Sequence, residues 1–137
     1  MKTSYATAVW QGTGKEGNGK LSSGSKALDS VSYDYRSRFE EGPLTNPEEL
    51  VAAAHAGCFS MKLSFVLGAA GFTPEQIDTK CTIGLESGAV VSSHLEVKAK
   101  VPGIDAAKFQ ECANEAKTGC PISKLLNTNI TMEASLG

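Results

Sequence analysis

Two thiols carry the first chemical signal of this chain. Cys58 lies inside the apolar run from Leu50 to Ala70, and Cys120 opens the stretch Cys120-Pro121-Ile122-Ser123. Far apart in sequence, they form a candidate reactive pair that meets only in the folded protein. A reactive cysteine has to be held as its thiolate, and the middle of a helix offers none of the N-terminal dipole that often does this. Cys58 therefore needs a cation brought from elsewhere. Arg36 and Arg38 are the nearest group of candidates, and Glu48 is a candidate for orienting such an arginine. Glu48 lies ten residues before Cys58, roughly 15 Å along a helix axis. It reaches the thiol's surroundings only through a long bridging arginine or from a second subunit. Its alternative role is to ease the helix dipole. Cys120 stands where a helix N-cap belongs, with Pro121 at the first helical position, a setting that depresses a thiol pKa and suits a partner or leaving thiol.

His55 precedes Cys58 by three residues, so the two side chains neighbour each other on one helical face. A cysteine-histidine hydrolase is one chemistry open to them. Side chains that leave a helix side by side align poorly for proton transfer, however, and packing or a hydrogen bond is the role favoured for His55. Cys81 fits an inward strand position and Cys112 the apolar face of a helix, and both read as core, where free cysteine behaves as a small hydrophobe. The four cysteines contain no C-x-x-C, and the two histidines are not spaced as ligands beside them, which argues against structural zinc.

The elements that must position these groups follow from the pattern. Tyr5 to Trp10 and Lys20 to Ser25 read as strands joined by glycine-rich turns, and a third strand is expected from Val31 through Tyr35 towards Phe39. On that strand Arg36 and Arg38 share one face, away from the tyrosines. Thr45-Asn46-Pro47-Glu48-Glu49-Leu50 is a helix start, with Asn46 as cap, Pro47 at the first position and Glu49 completing a capping box. The helix runs to about Ala70, where Gly71 ends it. Apolar on most faces and rich in alanine and glycine, it reads as a central helix packed on several sides. Two alternating strands follow, Ile77 to Leu85 and Leu95 to Val101, joined near Ser87-Gly88. Asp105 caps a helix with Phe109, Cys112, Ala113 and Ala116 on one face, Pro121 starts a short helical turn, and Ile130 and Met132 mark a last strand. The order is β-β-β-α-β-β-α-β, an α+β fold with a mainly antiparallel sheet around a long central helix.

A length of 137 residues suits a single domain spanning 1–137. With 20% charged residues and a formal net charge of -2, the chain lacks the basic character of a nucleic-acid or anionic-membrane binder. Met1 to Thr7 shows no apolar signal core, and the apolar run is interrupted by His55, Ser60, Lys62 and Ser64, as in a buried helix of a soluble protein. A reducing cytoplasm is the expected compartment, where paired cysteines are redox-active or simply buried.

Several segments together resemble one known family. Arg38-Phe39-Glu40, Thr45-Asn46-Pro47-Glu48-Glu49-Leu50, Ala53-Ala54-His55-Ala56-Gly57-Cys58-Phe59-Ser60-Met61 and Gly119-Cys120-Pro121-Ile122-Ser123 are similar to the osmotically inducible protein C (OsmC) family of thiol peroxidases. Gly71-Phe72-Thr73-Pro74 and Val101-Pro102-Gly103-Ile104-Asp105 extend the likeness over nearly the whole chain. The Ala-His-Ala-Gly-Cys wording resembles OsmC proper more than the organic hydroperoxide resistance branch. The resemblance implies that Cys58 is the peroxidatic thiolate and Cys120 the resolving thiol, with a sulfenic acid and then a disulfide as intermediates. It implies that Arg38 stabilises the thiolate and the departing oxygen, that Glu48 holds Arg38, and that Arg36 is a surface residue. It further implies organic hydroperoxides as substrates, hydrogen peroxide less so, an intertwined homodimer, and no metal, haem or flavin. The reductant implied is an external dithiol such as protein-bound dihydrolipoamide. A Cys58/His55 thiol hydrolase and a non-catalytic redox-sensing stress protein are the alternatives.

Overall fold

The computed structural model describes residues 1–137 as two compact units, Met1–Leu50 and Val51–Gly137. In the first, β1 (Ala6–Gln11), β2 (Asn18–Ser23) and β3 (Val31–Tyr33) form an antiparallel sheet in the order β1-β2-β3. The indole of Trp10 tilts against the ring of Tyr33, with centroids 5.4 Å apart.

The third strand is shorter than its sequence suggests. It stops at Tyr33, and Tyr35–Phe39 is instead a short helix, α1, capped by Asp34, whose carboxylate accepts from Ser37 N. An aspartate at the N-cap competes effectively with continued strand here. The expected shared face of Arg36 and Arg38 is lost with the strand, because residues two apart on a helix diverge. Arg36 Nε turns to the carbonyl of Glu41 and Arg38 Nε to the carboxylate of Glu48.

The helix start at Asn46 is as the sequence reads, with one difference. α2 spans Pro47–Ala69, and Asn46 Oδ1 accepts from Glu49 N at 2.8 Å while its amide donates to Ser37 O. Glu49 does not close a reciprocal box, because its carboxylate accepts from the Thr45 hydroxyl. At the far end Gly71 has φ +91, Phe72 N bonds back to Leu67 O and Gly71 N to Gly68 O. These are the two bonds of a Schellman ending, and the left-handed residue between them suits glycine.

In the second unit, β4 (Gln76–Glu86) and β5 (Ala89–Lys100) form a long hairpin, and β6 (Asn129–Leu136) joins β5 in parallel. The hairpin turns at Ser87 and Gly88, both with positive φ, the geometry that matches the twist of the flanking strands. Between β5 and β6 run α3 (Ala106–Gly119), capped by Asp105, and α4 (Pro121–Leu125). Three of the four strand pairings are thus antiparallel, and the α+β architecture is as expected.

The core gathers Phe59, Leu63 and Leu67 of α2, Leu95, Val97 and Ala99 of β5, and Phe109, Cys112, Ala113 and Ala116 of α3. Period two on β5 and period 3.6 on the helices place these residues together. Cys112 is core as expected, and Cys81 is half-buried beside it. The single chain covers one face of α2; Met61 and Phe65 on another remain 65% and 69% exposed. By length and composition α2 could cross a membrane, but its covered face carries the core just described.

Candidate active site

The two predicted thiols converge. Cys58, in the middle of α2, and Cys120, between α3 and α4, bring their sulfurs to 2.8 Å, and no disulfide joins them. Cys120 is placed there by two helix ends at once: it is the C-cap of α3, its N–H bonding to Ala116 O, and the N-cap of α4 ahead of Pro121. Proline at the first helical position ends α3 and starts α4 without leaving an N–H unpaired.

The thiols have unequal surroundings. Burial pushes the Cys58 thiol up and the hydrogen bond with Cys120 adds to this, while the Ile122 N–H and the charge of Lys62 pull the other way. The net direction is upward. Burial also raises Cys120, but the hydrogen bonds from Cys58, from the N–H and hydroxyl of Ser123 and from Ile122 N–H outweigh it, and its thiol lies below the ordinary value. The contact geometry has Cys120 donating to Cys58, the opposite proton placement. Across so short a contact the two thiols titrate as a pair. The downward direction is the one expected for Cys120 from its position, with hydrogen bonds as its causes.

Cys58 opens on a cleft of about 520 Å³ whose walls include Met61, Lys62, Phe65, Pro121 and Lys124. Met61, Lys62 and Phe65 follow Cys58 on one stripe of α2, at the spacing of successive helical turns. An apolar wall with two ammonium groups suits a molecule with a hydrocarbon part and a polar end.

Arg38 and Glu48 form the predicted pair within the first unit. Arg38 Nε and Nη2 meet the two carboxylate oxygens at 2.8 and 3.4 Å, a forked ion pair. The Arg38 side chain is 41% exposed and that of Glu48 14%, so the carboxylate is the fixed partner. Glu48 therefore does more than ease the dipole of α2. Arg38 also borders an aromatic pocket of about 520 Å³ with Trp10, Tyr33, Tyr35 and Phe39.

His55 has the hydrogen-bonding role favoured for it. Fully buried, it bonds through Nδ1 to Ser93 Oγ at 2.6 Å and through Nε2 to Ser123 Oγ at 2.7 Å. Burial lowers its pKa, so the ring is neutral. With both nitrogens engaged, neither is left as a base for Cys58, which removes the geometric basis of the hydrolase alternative. Ser93 and Ser123 were not singled out by sequence reasoning. The available signal for Ser93 is its register, a polar residue on the inward side of β5 with Leu95, Val97 and Ala99. No group of three or more His, Cys, Asp or Glu side chains is arranged to hold a metal ion.

A family model described as "OsmC-like protein" matches residues 40–135. The chain is similar to Peroxiredoxin OsmC of Escherichia coli (strain K12), 44% identical over 133 residues, covering 94% of this chain and 93% of that protein. It is also similar to the Organic hydroperoxide resistance protein of Xanthomonas axonopodis pv. citri (strain 306), at 31% identity over 99% of this chain and 94% of that one. Among solved structures it resembles an OsmC-like protein from Mycoplasma pneumoniae, with a TM-score of 0.77 at 14% identity, covering 98% of this chain and 97% of that chain.

Proposed function

The chain belongs to the OsmC family, and from that premise we propose that it reduces organic hydroperoxides through Cys58 and Cys120. It is a peroxidase, and the observation that carries this reading is the 2.8 Å approach of the two sulfurs. As thiolate, Cys58 attacks the terminal peroxide oxygen, so that the O–O bond breaks, Cys58 becomes a sulfenic acid and the alkoxide leaves to take a proton from water. Cys120 then attacks the sulfenic sulfur. The S–S bond forms, the S–O bond breaks, and the hydroxide leaves as water with the proton of the Cys120 thiol. An external dithiol, with dihydrolipoamide as the favoured candidate, returns both cysteines to thiols by supplying two electrons and two protons.

Because burial pushes the Cys58 thiol up, the reaction needs a cation that favours charge on Cys58. Arg38, steadied by Glu48, takes this role and stabilises the oxygen that departs. The apolar wall of the cleft supports organic hydroperoxides over hydrogen peroxide. The chain works as one domain in an intertwined cytoplasmic homodimer of the stress response. The exposed Met61 and Phe65 support a second copy packing on α2.

The test is turnover of a bulky organic hydroperoxide and of hydrogen peroxide with dihydrolipoamide, for the wild type and Cys58→Ser. Loss of activity in Cys58→Ser is expected, and full activity in that variant would falsify the reading. Oxidation of the pair without turnover over many equivalents of peroxide would mark a redox switch instead.

A further inference from the structure

We propose that Lys62 and Lys124 are specificity-determining residues, which make the Cys58 cleft select hydroperoxides carrying a carboxylate over neutral ones of the same hydrocarbon skeleton. The proposal deepens the peroxidase reading, on which the hydroperoxide rests; the carboxylate rests on the cleft alone. Each thiol is followed at the fourth residue by a lysine, Cys58 by Lys62 on α2 and Cys120 by Lys124 in α4. Side chains four apart on a helix are neighbours, so each lysine leaves its helix on the side of the thiol it follows. On α4 the turn is closed by Lys124 N, which donates to Cys120 O at 3.1 Å. The two sulfurs meet at 2.8 Å, and both lysines accordingly line the one cleft onto which Cys58 opens.

Lys62 occupies space that Gly119 leaves free. A Cβ on Gly119 would lie 3.2 Å from Lys62 Cε and 3.9 Å from its Nζ. The half-buried lysine therefore runs against the residue that precedes Cys120, its methylenes packed and its ammonium at the end of them. Lys124 is exposed. Neither enters an ion pair, since the salt bridges of the chain join Arg38 to Glu48, His94 to Glu133 and Lys108 to Glu111. No aspartate or glutamate lines the cleft.

Two positive charges without a counter-ion, flanked by Met61, Phe65 and Pro121, fit a ligand whose apolar body carries an anion. A neutral alkyl hydroperoxide meets the apolar wall and leaves both ammonium groups to water. A carboxylate on the same skeleton meets the ammonium groups as well, and it passes unchanged through the reaction at the O–O bond.

The test is a substrate pair, a medium-chain ω-hydroperoxy carboxylic acid and its methyl ester, offered to the full-length protein. At low salt the second-order rate of Cys58 oxidation should favour the acid about three- to tenfold, the combined contribution of two exposed ion pairs. That preference should shrink towards one in about 1 M salt. Lys62→Gln with Lys124→Gln should abolish it, and Lys62→Arg with Lys124→Arg should retain it. The acid-to-ester ratio cancels any effect of the lysines on the thiol itself. A ratio near one in the wild type, or a ratio unchanged in the double glutamine variant, overturns the proposal. A second readout needs no turnover: octanoate added to the reduced protein should shift the ¹H–¹⁵N amide signal of Gly119, and far less so in the double glutamine variant. Octanoate that leaves this signal unmoved in the wild type overturns the proposal. Failure to consume either hydroperoxide would sink the peroxidase reading alone, and octanoate binding would then decide the charge site.

Discussion

Glu48→Gln separates two roles that one carboxylate plays. Glu48 sits in the first turn of α2, where a negative charge meets the helix dipole, and it also receives Arg38 in a forked pair at 2.8 and 3.4 Å. Glu49 shares the first turn without touching Arg38; its carboxylate accepts from Thr45. Glu49→Gln is therefore the matched control. Both substitutions remove a dipole-facing charge, at a cost of about 0.3–1 kcal/mol each in folding stability. Only Glu48→Gln frees the guanidinium, and because Arg38 is 41% exposed the pair itself is worth no more than about 0.5–1 kcal/mol. If that energy serves to hold Arg38 in the reaction, its loss slows peroxide reduction about two- to fivefold. The assay is the second-order rate of Cys58 oxidation by an organic hydroperoxide, with urea denaturation of each variant alongside. Equal rates in Glu48→Gln and wild type, or equal slowing in Glu49→Gln, would refute the assignment.

Leu63→Ala removes a fully buried side chain from the core cluster and should lower unfolding stability by about 2–5 kcal/mol, read from the urea midpoint. Gly71→Ala places a Cβ on a residue with φ +91, with an expected loss of about 1–2 kcal/mol in the same measurement. His55 is held below its ordinary value of 6.5 by burial. The unfolded chain therefore binds the extra proton first, and stability should be complete above about that pH and fall as pH drops below it. The slope approaches at most about 1.4 kcal/mol per pH unit, and a urea midpoint flat from neutral pH to well below 6 would contradict it. Cys112→Ala should leave hydroperoxide turnover intact while lowering thermal stability, because Cys112 is buried between α3 and the sheet and has no part in the site.

Most of the fold is legible wherever burial imposes a period. β5 alternates because one side faces α2 and α3, and the caps at Asn46 and Asp105 announce their helices through side chains that satisfy free N–H groups. Tyr35 to Phe39 misleads because Arg36 and Arg38 alternate there with Tyr35, Ser37 and Phe39 as they would in a strand, while the Asp34 cap is a single residue set against that pattern. Cys58, Cys120, Arg38 and Glu48 stand out by residue type and by motif. The His55 partners do not, since serines 38 and 68 residues away carry no distinguishing chemistry until the chain folds. The C-terminal end of α2 was readable from Gly71 alone, whereas the partner of Glu49 depended on which of two nearby donors, Asn46 N or Thr45 Oγ1, would reach it.

The separation of the two thiols couples oxidation to folding. Cys58 and Cys120 are 62 residues apart in the chain, and a bond between them would close a loop whose entropy is largely lost to the unfolded ensemble. By the chain-entropy relation, that loop makes the oxidised form about 4 kcal/mol harder to unfold than the reduced one. The same thermodynamic cycle read in the other direction makes the disulfide about a thousandfold harder to reduce in the folded chain than in the unfolded one, equivalent to roughly 90 mV. A reductant of this protein therefore works against the fold as well as the sulfur bond, and a monothiol too weak for the native disulfide would still open it in a denatured chain.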